Sequence, residues 1–485
     1  MHASSRARYA LSLLFCLLIL PVLLGFQDSS ATLTVSKAEL EKHLRFLASD
    51  ELKGRKTGTD GDHVAARYIA EHFRAHGLSP AARFNDFFQP VPLERVQPPA
   101  RQEVKILGTR LRPDEDFIVM RAQSCQIKGE MKDPEATNLL GAIATIGVDS
   151  PDTLFESFSG ISETLAKRGA KAIIALYSSG GWDGLKGFLG KSRISLKEED
   201  AVNRLPFLLV RDSNGALLSK LRAPGDHSAS ITLSEPRVES VASANVIGVL
   251  RGRDPVLKDE WLALTAHFDH IGAGRDLPGA TPEDSIFNGA RDNGMGVTAL
   301  LAAATTLSAN PPARSVVFIG FTGEEAGLLG SSYYVQHPAV PLRNTVFVLN
   351  NDGAGYTDTS IVTVLGLDRT TAKPEIESGC RQFGLEAFAG GPDLQMFFNA
   401  SDNRNFAEKG IPAPTFCPGV RTFGEEILKY YHRPADEADE GFDFAYLQRF
   451  CEAYALAARL IANRTERPAW TPGDKFEKAA VELYK

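Results

Sequence analysis

"SVVFIGFTGEEAGLLGS", residues 315–331, starts as a core strand and ends as something else. Val316, Val317, Phe318 and Ile319 form an unbroken apolar run, which reads as a buried strand. Two adjacent carboxylates, Glu324 and Glu325, follow Gly323 and precede an Ala-Gly-Leu-Leu-Gly stretch. Adjacent like charges repel, and a core strand has no need of them at its mouth.

Working outward, the same texture repeats. "WLALTAH", "NTVFVLN" and "SIVTVLG" read as further strands. "GMGVTALLAAATTLSAN", "AGLLGSSYYVQHP" and "DFAYLQRFCEAYALAARLIAN" read as helices between and after them. This alternation predicts an α/β fold with a mostly parallel central sheet flanked by helices. In such sheets ligands bind beyond the carboxyl ends of the strands. Upstream, Ser36 with Glu39 fits a capping box, and Leu40, Leu44 and Leu47 form a helical stripe. "GDHVAARYIAEHFRAHGL" predicts a second amphipathic helix ending at Gly77. His72 and His76 are four apart on it, but Phe73 shares their face, so they read as core rather than as metal ligands. From about residue 100 to 240, short β-like runs such as "GAIATIGV" and "KAIIALYSS" alternate with Pro/Gly/Ser-rich connections, without a clustered His/Asp/Glu candidate for a site. That stretch reads as an inserted, non-catalytic module.

The chain has 485 residues, is 43% hydrophobic and 23% charged, and carries a net charge of −7. It lacks the clustered Lys and Arg of a nucleic-acid binder. Arg6 and Arg8 precede an apolar stretch from Tyr9 to Phe26, then small and polar residues. This predicts a secretory signal peptide over residues 1–31 and export to the periplasm or the exterior. The alternative is an uncleaved anchor, the one route by which this reading meets a membrane. Cys125, Cys380, Cys417 and Cys451 follow it, too few for a disulfide scaffold in a chain of this length.

The chemistry-bearing residues gather at expected strand ends. "LTAHFDHIGAG" supplies His267, Asp269 and His270; "FNGARDNGMG" supplies Asp292; "TGEEAG" supplies Glu324 and Glu325; "VFVLNNDGAG" supplies Asp352; "LKYYHRPADEAD" supplies Tyr431, His432 and Asp436. Each alone also fits capping, turn chemistry or a solvated loop. Together they place imidazoles and several carboxylates on one rim, where they would repel without cations. Two divalent metals roughly 3.5–4 Å apart suit such a set, and mixed N/O ligation suits zinc, with manganese or cobalt as alternatives.

The order "AHFDH … GARDNGMG … TGEEAGLLGS … NND … YYHRPAD" resembles the M28 family of di-zinc exopeptidases. "LRFLASDELKGRKTGTDGDHVAARYIAEHF" is similar to the segment that opens the peptidase domain in that family, and the insert is similar to a protease-associated (PA) domain. The resemblance implies residues 32–100 and 241–485 as the peptidase domain and 101–240 as a small β-rich α/β PA-like insert. It implies two Zn²⁺ per chain: His267 and Asp352 on one, Glu325 and His432 on the other, and Asp292 bridging. It implies Asp269 orienting His267, Glu324 as general base, and Tyr431 beside the site stabilising the tetrahedral intermediate and contacting substrate. Asp402, in "SDNRNFAEKGIPAPTF", would lie at the substrate cleft, although Asn403 replaces the family's usual histidine. The implied activity is a metallo-exopeptidase acting on peptides, foremost an aminopeptidase. A carboxypeptidase-type enzyme, a glutaminyl-cyclase-like enzyme and a non-catalytic peptide-binding relative are the alternatives.

Overall fold

The structure is a computed structural model that describes residues 36–150, 161–189, 192–197 and 205–485. The expected signal peptide lies outside the described residues. No helix among the described residues is long and apolar enough to cross a membrane.

The elements that matter here are β1 (Phe88–Gln97), β2 (Arg193–Leu196), β3 (Arg237–Leu250), β4 (Trp261–His267), β5 (Ser315–Phe321), β6 (Thr345–Asn351), β7 (Ile361–Leu365), β8 (Glu386–Phe388) and β9 (Thr415–Pro418). With them go α1 (Lys37–Leu47), α2 (Asp60–Ala75), α3 (Met295–Ala309), α4 (Leu329–Gln336) and α5 (Phe444–Asn463). The strands pair in the order β8–β7–β9–β6–β4–β5–β3–β1–β2. The centre, β6–β4–β5, is parallel, and β3, β1 and β2 extend it antiparallel. The fold is therefore mixed α/β, with helices on both faces of the central sheet.

Burial on both faces explains the unbroken apolar runs. Val316 and Phe318 of β5 pack into one core with α1, α2, α3 and α5; Val317, Ile319 and Phe321 pack into the opposite core with α4. In β4, Leu262 and Leu264 join the first core, and Trp261 and Ala263 the second. The register then aligns the strand ends. His267 pairs with Phe321 across β4–β5, and Ala266 pairs with Asn351 across β4–β6. Residues immediately following these positions therefore emerge on one rim.

α1 buries Leu40, Leu44 and Leu47 as the stripe predicts, but the Ser36 side chain makes no capping hydrogen bond. α2 buries His72, whose Nε2 faces the Leu301 carbonyl at 3.0 Å, and His43 packs edge-on against it. The helix expected from Ala326 starts only at Leu329, because Gly327 and Leu328 take left-handed backbone angles of 110° and 59°. The four described cysteines are free thiols.

Eight described strands between residues 102 and 233 form a second sheet with apolar clusters of its own. Its middle strands, Ile143–Val148, Ala172–Tyr177 and Phe207–Arg211, run parallel, and its flanks are antiparallel. β2 leaves this region and pairs with β1 at the edge of the main sheet.

Candidate metal and catalytic site

His267 is the last residue of β4, Asp352 follows β6 directly, and Glu324 and Glu325 lie three and four residues past β5. Asp292 sits in a buried turn before α3, and its peptide bond to Asn293 is cis. His432 comes from the loop before α5, with a left-handed φ of 53°. Three parallel strands thus deliver four of these side chains, and two loops deliver the other two.

The Asp292 carboxylate lies between two imidazoles. Its Oδ1 is 3.4 Å from His267 Nε2, and its Oδ2 is 3.3 Å from His432 Nε2. Asp352 Oδ1 stands 3.1 Å from His267 Nε2, and Glu325 Oε2 stands 3.2 Å from His432 Nε2. Glu324 Oε2 is farther, 4.0 Å from His267 Nε2. His267 Nδ1 donates to the Asp269 carbonyl at 3.2 Å, which leaves Nε2 free to face the cluster. Two groups of three donor atoms lie within 4.8 Å of one another: His267, Glu324 and Asp352, and His270, Asp292 and Glu325. Nitrogen and carboxylate donors so gathered fit a divalent metal.

The two neighbouring glutamates differ in environment. Burial pushes Glu324 well above the usual carboxylate range; His267 opposes this, and Asp352 and Glu325 add to it. Burial would raise Glu325 too, but His432 and His270 hold it well below that range. His270 Nδ1 donates to Glu325 Oε1 at 2.7 Å, while its Nε2 is buried without a partner. His432 would be lowered by burial, yet Glu325 and Asp292 hold it at about 10. The Tyr431 ring stacks on His432 at 3.9 Å, and burial beside the carboxylates keeps its hydroxyl protonated.

Two residues sit differently from their expected roles. Asp269 is fully buried, but its Oδ1 is 3.8 Å from His267 Nδ1, beyond hydrogen-bond reach. It instead accepts from the Glu324 backbone N–H at 3.1 Å and from Thr57 Oγ1 at 2.8 Å. Asp402 is fully buried rather than cleft-lining; its Oδ1 accepts from Ser331 Oγ at 2.5 Å, and its neighbour Ser401 lines the cavity instead. The turn into the short helix Asn403–Glu408 points it inward, and Asn403 ties that turn down by donating to the Phe398 and Ala413 carbonyls. Asp436 braces the Asp292 turn, accepting from the backbone N–H groups of Arg291 and Asp292 and from the Arg291 guanidinium.

Three residues carry site contacts that the sequence reading assigned no role: His270, Thr57 and Arg55. His270 was visible as the third polar residue after β4. Thr57 and Arg55 left no local signal, because the site loops they hold lie more than 200 residues away.

The cavity at this rim encloses about 760 Å³, including its open mouth. One side is the imidazole and carboxylate cluster. The other is apolar, with Leu365, Leu394, Phe397, Val420 and Phe423. Among the described lining residues there is no Lys or Arg. Arg291 is buried on Asp436, Arg404 pairs with Glu408, and Arg421 pairs with Asp358.

Residues 245–458 match the family model described as Peptidase family M28. The chain is 25% identical to Aminopeptidase YwaD of Bacillus subtilis (strain 168), over 48% of this chain and 47% of that protein. It is 32% identical to the Vacuolar membrane protease of Saccharomyces cerevisiae (strain YJM789), over 56% of this chain and 25% of that protein. It thus spans less than half the length of these relatives. Its backbone resembles the aminopeptidase from Aneurinibacillus sp. strain AM-1, with a TM-score of 0.57, 21% identity, and coverage of 90% of this chain and 97% of that one. The last likeness concerns the fold alone; the segment similar to peptidase family M28 holds every site residue described above except Arg55 and Thr57.

Proposed function

We propose that this chain is an exported zinc aminopeptidase that removes N-terminal residues from peptides. The observation that carries the reading is the Asp292 carboxylate, one oxygen toward His267 and the other toward His432. His267 and Asp352 would hold one zinc, Glu325 and His432 a second, and Asp292 would be shared. Zinc so bound supplies Lewis-acid activation of water and of the scissile carbonyl.

The chain's own groups do the rest. Glu324 takes a proton from the attacking water on its carboxylate and passes it to the leaving amine. Its larger distance from His267, relative to Asp352, suits a group that works on water rather than on metal. Glu325 is held for ligation by His270, and no imidazole donates to Glu324 in this way. The protonated Tyr431 hydroxyl donates to the developing oxyanion. A carboxypeptidase would need a cation for the terminal carboxylate, and the described lining offers no Lys or Arg for one. The separate sheet of residues 102–233, with its own cores, supports reading the 101–240 region as a PA-like insert within a peptidase domain of residues 32–100 and 241–485.

Release of nitroaniline from aminoacyl-nitroanilides, with and without a chelator, tests the proposal. Activity that ignores the chelator would contradict the metal reading. Equal cleavage of free and N-acetylated peptides would contradict the aminopeptidase reading.

A further inference from the structure

The elbow that carries Glu324 is held by Asp269, from within the matched segment 245–458, and by residues outside that segment. β5 ends at Phe321, and the chain turns at Gly323, whose φ is 70°. On one side of the turn, Asp62 Oδ1 accepts from Thr322 Oγ1 at 3.2 Å, and its Oδ2 accepts from Gly58 N–H at 2.9 Å and from Ser243 Oγ at 2.7 Å. On the other side, Asp269 accepts from the Glu324 N–H with one oxygen and from Thr57 Oγ1 with the other. Behind both, the fully buried Arg55 guanidinium donates to the carbonyls of Leu47, Phe268, Asn288 and Gly289, and no carboxylate is among these partners. Phe268 stands between His267 and Asp269, and Gly289 stands three residues before Asp292. The segment from Arg55 to Asp62 thus joins the β4 loop, the Asp292 turn and the Glu324 elbow.

We propose that Thr57 is a positioning residue for Glu324, acting through Asp269. This rests on the reading of Glu324 as general base. Asp269 is enclosed, so each of its oxygens depends on its donors. With the Thr57 hydroxyl in place, Asp269 stays 3.8 Å from His267 Nδ1 and keeps its other oxygen on the Glu324 amide. Without it, the under-bonded carboxylate rotates toward that imidazole and releases the amide. Glu324 then loses the backbone anchor that sets its carboxylate over the water, while the zinc ligands keep theirs.

The test is Thr57→Val, which swaps hydroxyl for methyl at nearly constant shape, measured beside Thr57→Ser, Glu324→Gln and the parent. The expectation for Thr57→Val is a fall in kcat of about 10–100-fold, the usual cost of losing an outer partner of a metal site. KM and zinc content per chain should hold, and Thr57→Ser should recover most of the rate. If Thr57→Val does not accumulate folded, Thr57→Ala is measured in its place. Unchanged kcat in the Thr57 variant, with Glu324→Gln inactive, overturns the proposal and leaves the base reading standing. So does a rate loss that merely tracks zinc loss. Full activity in Glu324→Gln overturns the base reading itself.

Discussion

The apolar half of the cavity sets a preference that can be sized. On the proposed aminopeptidase reading, a substrate side chain placed there would meet Phe397 and Phe423, whose ring centroids are 4.9 Å apart, with Leu365, Leu394 and Val420 completing the wall. A leucine side chain exceeds alanine by three carbons. At about 0.8 kcal/mol per buried carbon, the apolar wall is worth about 2.4 kcal/mol, or roughly 60-fold in kcat/KM. Phe397→Ala removes one aromatic wall and opens the pocket to water. If about half the contact is lost, the leucine-to-alanine ratio falls to about 8-fold. The alanine substrate, which barely reaches the wall, should change little. The assay is kcat/KM for leucyl- and alanyl-nitroanilide with the parent and Phe397→Ala. A parent ratio near one, or a ratio unmoved by the substitution, would refute the assignment of this half as the side-chain pocket.

Other outcomes follow from the same geometry. Glu324→Gln should keep zinc content and lose about 10²–10⁴-fold in turnover, the range for a general base, whereas Glu325→Gln should instead weaken one metal site. Elemental analysis beside rate measurement separates the two. His270→Phe should lower zinc affinity about 10–100-fold, because the donor that orients Glu325 is gone; titration with a competing chelator reads this directly. Burial holds His43 at about 4 and His72 at about 3, both below the ordinary value of 6.5. The unfolded chain therefore takes protons first, so stability is full above about pH 6.5 and is lost as the pH falls from there toward these lower values. At pH 5 each ring has given up about 2 kcal/mol. Urea melts of the parent and of His72→Gln at pH 7.5 and 5 should show the parent losing more stability over that interval. Equal losses would remove these rings as the cause.

The parts of the fold legible in the sequence are those written locally. β4, β5 and β6 are buried on both faces, so their apolar runs survive without interruption, and the residues after them could be assigned to one rim before any contact was known. The grouping of His267, Glu324, Glu325 and Asp352 follows from that register, and the loops that carry Asp292 and His432 complete it. What stayed hidden is held by distant partners. Thr57 meets Asp269 across 212 residues, and Arg55 meets Gly289 across 234, so neither carries a local pattern. Asp402 looked like a cleft residue, but its direction is set by Ser331 on α4 and by the turn that Asn403 fastens. Asp436 resembled a turn residue and is a buried brace, a difference decided by Arg291 far upstream. The two glutamates of "TGEEAG" are identical in sequence and are separated only by what donates to them: the His270 and His432 imidazoles face Glu325, and Asp269 holds the Glu324 amide.

The most direct test of the account is zinc per chain at saturation, followed through removal and return. The account predicts two zinc ions per chain, activity that disappears as a chelator strips them, and recovery when zinc is restored. Saturation at a single zinc, or full activity in metal-free protein, would contradict it.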